Sequence, residues 1–215
     1  MKFKISNMAT PEALIEFTGI PLKHPELYKK SYMITGKEET IVPIITQENK
    51  QEISFAIWGL LPENYDEDWL EFQNLVDTLT IKSDELKNNE FINKIKNINR
   101  CLILVTGFFT TYLKNGKTHQ YFISAKENHP FYLAGYYNKL DDGFLTFTLL
   151  LTPQNEIIKK YQNLTKYMPT ILDSEDDKNL WLSDEITINQ IEEFIPNSSC
   201  LPLNITQVKD SLEYS

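Results

Sequence analysis

The chain has 215 residues, 41% hydrophobic and 12% aromatic, which is enough to bury a full core without disulfides or metals. Acidic residues number 30 against 21 basic ones, a formal net charge of −9, and Arg100 is the only arginine. Nucleic acid is a dense polyanion held chiefly by lysine and arginine, so this balance weighs against a general nucleic-acid binder while leaving room for a local basic groove.

Phe3 and Ile5 alternate with Lys2 and Lys4, the pattern of a short half-buried strand. Thr10 followed by Pro11 reads as an N-cap and first helical position, and the helix through Leu14 and Phe17 should stop at Gly19. Three strands are predicted over 31–35, 40–45 and 53–58, with Pro43 placing the second at a sheet edge. Helical spacing recurs over 69–76 and 91–98. The apolar run 101–106 suits a central strand, and the runs 108–113 and 120–124 flank Asn115-Gly116, a strong hairpin signal. Two more strands, 130–137 and 144–151, are joined by the turn at Gly143. A helix over 153–164, an acidic loop over 173–177, a short helix near Leu180 and a last helix over 188–195 complete the reading.

Short strands that read as antiparallel hairpins, interspersed with helices, imply an α+β fold with a curved, barrel-like sheet. A single domain over 1–215 is expected, with 183–215 an extension packed on or beside it. Met1-Lys-Phe-Lys-Ile-Ser6 has no apolar leader core, and no stretch approaches the roughly 18 apolar residues of a membrane span. Two cysteines, Cys101 in an apolar run and Cys200 in a late loop, suit a reducing compartment, although a bridge between them is conceivable. The expectation is a soluble, cytoplasmic protein without a membrane partner. His24, His119 and His129 are widely spaced and beside prolines or turns, so no metal site and no cofactor are expected.

Four stretches, in order, carry a resemblance. They are Ile57-Trp-Gly-Leu-Leu-Pro62, Asn99-Arg-Cys-Leu-Ile-Leu-Val-Thr-Gly-Phe-Phe109, Pro130-Phe-Tyr-Leu-Ala-Gly135, and Thr146-Phe-Thr-Leu-Leu-Leu-Thr-Pro-Gln-Asn155 followed by Tyr167-Met-Pro-Thr-Ile-Leu172. Together they resemble the SOS response-associated peptidase (SRAP) family. That resemblance implies a role in the DNA damage response. An N-terminal cysteine at position 2 would capture the aldehyde of an abasic site in single-stranded DNA, as a covalent crosslink, and in some members release a short propeptide. Asn, Glu and His surround that cysteine, and arginines of two further motifs hold the DNA phosphates.

Carried over residue by residue, the site is depleted. Position 2 is Lys2, which has no thiol and whose bulk should prevent removal of Met1. The family's Glu falls at Thr110 and its His at Gln162, neither of which can act as acid or base near neutral pH. The Asn motif aligns either on Thr80, Lys82 and Asp84 or on Leu79, Ile81 and Ser83, and both registers remove its Asn and Arg. The second arginine is replaced by Tyr167, ahead of Met168 and Pro169, so the bidentate phosphate fork is missing there. Trp58, Lys82, Tyr167, Met168 and Pro169 are the candidate DNA contacts.

The economical reading is a pseudoenzyme that acts by binding a protein partner or, weakly, single-stranded DNA. The competing reading is an active abasic-site crosslinking or lyase enzyme using an amine, from Lys2 or the amino group of Met1. Against it stands the plainer view of Lys2 as a solvated lysine. The paired aromatics Phe108-Phe109, Phe131-Tyr132 and Tyr136-Tyr137 could stack bases, but in a strand-rich core they serve packing.

Overall fold

The computed structural model describes residues 3–95, 99–186, 190–191 and 201–208. Strand β1 (Lys4–Asn7) leads into helix α1 (Pro11–Thr18). Thr10 caps α1 by accepting from the Ala13 amide, and Gly19 ends it at φ 72°, a left-handed conformation that glycine adopts without penalty. Strands β2 (Ser31–Ile34), β3 (Ile41–Thr46) and β4 (Ser54–Trp58) follow, then α2 (Trp69–Leu75), capped by Asp68. Strand β5 (Thr80–Lys82) and α3 (Glu90–Lys94) precede the main block. That block is β6 (Asn99–Val105), β7 (Gly107–Lys114), β8 (Lys117–Ala125), β9 (Phe131–Lys139) and β10 (Leu145–Pro153). The chain closes with β11 (Tyr167–Pro169), β12 (Ile171–Leu172), α4 (Glu175–Trp181) and β13 (Leu203–Gln207).

Five strands form a closed barrel in the order β10-β4-β3-β6-β9, shut by the antiparallel pairing of β9 with β10. A second, five-stranded sheet has the order β13-β8-β7-β1-β2. Side chains alternate between two cores, as a strand period of two demands. Along β6, Cys101, Ile103 and Val105 face one core and Leu102 and Leu104 the other; β9 does the same with Leu133 and Ala134. Both faces are therefore covered, which is why these runs are apolar throughout.

Several expectations are corrected. Pro43 does not mark an edge, since β3 lies between β4 and β6. The ladder to β6 starts at Ile44, so the missing proline amide costs no hydrogen bond on that side. The helix predicted over 153–164 is only a 3-10 turn, Ile158–Lys160. The Asn155 carboxamide takes the amides of Ile157 and Ile158, offering the backbone a local alternative to a longer helix. The acidic stretch 173–177 is no loop. Ser174 caps α4, and Glu175, Asp176 and Asp177 sit in its first turn, where negative charge favours the helix dipole. The last predicted helix, over 188–195, falls largely outside the described residues. Beyond Ser183, β13 adds an edge strand to β8 in register Ile205–Ile123. Among the described residues no helix is long and apolar enough to cross a membrane.

Arg100 works as a clamp. Its Nε donates to the Trp181 carbonyl at 2.7 Å, its Nη2 to that of Ser183, and its guanidinium lies 5.9 Å from the Trp181 ring. These are carbonyls at the end of α4, which a helix cannot satisfy itself. Gly135 sits where β9 meets both β6 and β10, paired with Cys101 and Leu149. A Cβ there would come within 2.4 Å of Ile103 Cδ1 and 2.5 Å of the Thr148 carbonyl oxygen, and the latter is backbone that cannot step aside. Gly135→Ala is expected to destabilise the fold by about 2 kcal/mol or more, read as a lower urea midpoint; an unchanged midpoint would show that the strands can part there at no cost.

Candidate active site and strand-binding surface

Strand β1 lies antiparallel to β7, with Lys4 opposite Phe109 and Ile5 opposite Phe108. One step further in that register brings Phe3, itself buried, level with Thr110. Lys2 and Met1 lie outside the described residues. Thr110 is fully enclosed on the same side of β7 as Phe108, and its Oγ1 has no hydrogen-bond partner among the described residues. Gln162 is 1% exposed in the loop after the 3-10 turn. Its Nε2 donates to the Tyr167 carbonyl at 2.5 Å and to Gln154 Oε1 at 3.3 Å, while its Oε1 has no partner among the described residues.

Two contacts tie these segments together. Tyr121, directly across from Thr110, meets the Tyr161 ring nearly edge-on at 5.1 Å. The Asn163 carboxamide accepts from the Leu113 amide at 2.7 Å and donates to the Leu113 carbonyl at 2.9 Å. Thr110 and the Gln162 loop thus belong to one neighbourhood at the β7 end of the structure. What stands there is a hydroxyl and a carboxamide, both neutral across the physiological range.

The second cluster is organised by β10. Its one edge carries β5 in parallel, with Leu149 opposite Thr80 and Leu151 opposite Lys82; β11 lies antiparallel, with Pro153 opposite Tyr167. Thr80 and Lys82 share a face of β5 and are half-buried, whereas Leu79 and Ile81 are core residues. The register that places Thr80, Lys82 and Asp84 in the Asn motif is therefore the one that puts polar atoms within reach of a ligand. Tyr167 donates to Asp84 Oδ2 at 2.7 Å, and Lys82 Nζ lies 5.2 Å from the Tyr167 ring centre. Lys82 is also paired with Glu85 at 2.5 Å. The Asp84 carboxylate, by accepting the hydrogen bond of the protonated phenol, pushes the Tyr167 pKa up, and the bond to Glu85 holds the Lys82 ammonium up. One cation here faces two carboxylates, so the patch offers a phosphate little.

Three candidate contacts are enclosed in the structure. Trp58 is fully enclosed, stacked near Phe147 with its Nε1 donating to the Leu79 carbonyl at 2.9 Å, and it is a core strut. Met168 and Pro169 are buried as well. Cys101 is a fully buried free thiol whose pKa burial pushes well up, so it is no nucleophile. Cys200 lies outside the described residues. The histidines stay apart: His24 pairs with Glu26 at the surface and His129 stacks on Phe17. Tyr121 and Tyr161 went unnoticed in the sequence, since neither sits in a motif and they are 40 residues apart. Thr110→Val replaces a buried, unpartnered hydroxyl by a methyl of the same shape. Its stability should stay level or rise by about 1 kcal/mol in chemical denaturation; a clear loss would reveal a hidden partner for Oγ1.

Comparison with known proteins accords with this architecture. A protein of Bacteroides thetaiotaomicron superposes with a TM-score of 0.78 at 22% identity, over 96% of this chain and 92% of that one. A Bordetella bronchiseptica protein gives 0.72 at 14% identity over 97% and 100%, and a phage-related protein of the same organism 0.63 at 14% over 96% and 94%. An abasic site processing protein of Saccharomyces cerevisiae is 24% identical over 191 residues, 84% of this chain, which spans about half (50%) of that relative's length. The profile of the SOS response associated peptidase (SRAP) family matches residues 1–213, nearly the whole sequence, and this chain belongs to that family.

Proposed function

We propose that this chain is a non-catalytic family member that works by binding, with single-stranded DNA as its ligand class. One observation carries the reading: where the family resemblance calls for an acid and a proton-shuttling imidazole stand Thr110 and Gln162, both enclosed and both neutral. General acid–base catalysis needs a group that exchanges a proton near the working pH, and neither side chain does. The ligand class rests on family membership and on the yeast relative described as processing abasic sites. Affinity is expected to be weak and salt-sensitive, because Lys82 is countered by Asp84 and Glu85 where the family pattern has arginine.

An amine-based enzyme is the second reading, favoured by the β1–β7 register, which brings Phe3 level with Thr110. Burial, then the nearby Lys37 ammonium, lowers the Lys4 amine. Lys4, however, points to the face of β1 opposite Phe3 and Ile5. The nucleophile would therefore have to be Lys2 or the α-amine of Met1. Incubation with single-stranded DNA bearing an abasic site, with and without borohydride, separates the two. The expected result is reversible binding and no covalent product; a heat-stable or borohydride-trapped crosslink that Lys2→Ala abolishes would establish the amine enzyme instead.

A further inference from the structure

A polar cleft of about 610 Å³ opens beside the Thr110–Gln162 neighbourhood, lined among others by Tyr112, Lys114, His119, Tyr121, Lys160 and Gln207. Three parts of the chain build it. The β7–β8 hairpin supplies one wall, the 3-10 turn a second, through Lys160, and β13 a third, through Gln207 opposite Tyr121. The walls are held in place: Asn163 clasps Leu113 with two hydrogen bonds, Tyr161 packs on Tyr121, and Gln207 Nε2 lies 3.3 Å from His119 Nδ1.

Its charge is unusual for a chain of net charge −9. Among the described residues no carboxylate lines the cleft. Among the described residues Lys114, Lys117 and Lys160 enter no ion pair, while the nearby Glu156 is already paired with Lys159. Lys114 and Lys117 stand directly opposite each other across the hairpin turn, which Asn115 and Gly116 make at φ 52° and 75°. Like charges facing across a strand pair destabilise it. An anion between the hairpin and Lys160 relieves that repulsion, and the hydroxyl-bearing rings and the Gln207 amide add donors suited to oxyanions.

We propose that this cleft is a phosphate site, taking either the phosphodiester of a passing strand or a free phosphate group. It deepens the binding role proposed above, and rests on that reading only for the identity of the strand. The residues that make it lie outside every motif of the family resemblance, whose own phosphate positions are neutralised here.

The test compares the full chain with the double variant Lys114→Gln, Lys160→Gln; both lysines are exposed, and unchanged circular dichroism verifies the fold. Fluorescence anisotropy follows an intact labelled oligothymidylate, without an abasic site, over a salt series. Calorimetry follows inorganic phosphate. The variant should bind the oligonucleotide about tenfold more weakly, and its log–log salt slope should flatten by about 1.4, two contacts at about 0.7 each. Loss confined to inorganic phosphate supports the site with free phosphate as its source. Unchanged affinity and slope in both arms overturn it. A variant that matches a strand-binding wild type in both arms sinks the cleft and spares the binding reading. A wild type that binds phosphate but no strand does the reverse.

Discussion

Barrel closure through β10 is the constraint on which the structure depends. A ring of five strands cannot alternate direction all the way round, so one neighbouring pair has to run parallel. Here it is β4 with β10, through Ile57–Thr146 and Trp58–Phe147. Parallel pairing is the weaker kind per residue, and other contacts reinforce this seam. The Gly59 amide donates to the Phe147 carbonyl, the Trp58 and Phe147 rings stack 6.2 Å apart, and the Trp58 indole donates to Leu79. Beyond the seam β5 continues the parallel edge, while β9 and then β11 occupy the other. The same strand that shuts the barrel thereby brings Thr80, Lys82 and Tyr167 to one end.

The Thr110–Gln162 neighbourhood holds two buried polar side chains that carry no charge. Each fits inside the packing, and among the described residues each has one polar atom without a hydrogen-bond partner. Such orphans in low-dielectric surroundings cost free energy, but far less than an unpaired buried charge. Neutral side chains at these two enclosed positions are therefore compatible with stability. Arg100 follows a comparable logic. Its guanidinium is held by carbonyls at the end of α4 and by the Trp181 ring, so the chain's one arginine serves the fold.

Electrostatics divides the surface unevenly. Where β5 and β11 meet, Lys82 is answered by Glu85 and the Asp84–Tyr167 pair. At the β7–β8 hairpin, by contrast, Lys114 and Lys117 enter no ion pair among the described residues. Net charge describes neither patch, since screening confines each field to about 10 Å.

Local chemistry made much of this legible in advance. Thr10-Pro11 and Gly19 bound α1, Asn115-Gly116 turns the hairpin, and the apolar runs at 101–106, 130–137 and 144–151 are barrel strands because both their faces are covered. Periodicity misjudged segments whose backbone answers to a side chain, as Asn155 does in cutting the 153–164 helix to one turn. It also missed β5, β11, β12 and β13, each five residues or fewer and dependent on a partner strand for its shape. The sequence by itself determined the α+β class, the family's Gly and Pro framework, and the absence of acid and base at 110 and 162. Tertiary structure alone decided that Trp58 and Met168 are enclosed, that Tyr121 meets Tyr161, and that Lys114 and Lys160 share a cleft. Burial and convergence depend on which distant segments pair, and a strand's register is set by its neighbours as much as by its own residues.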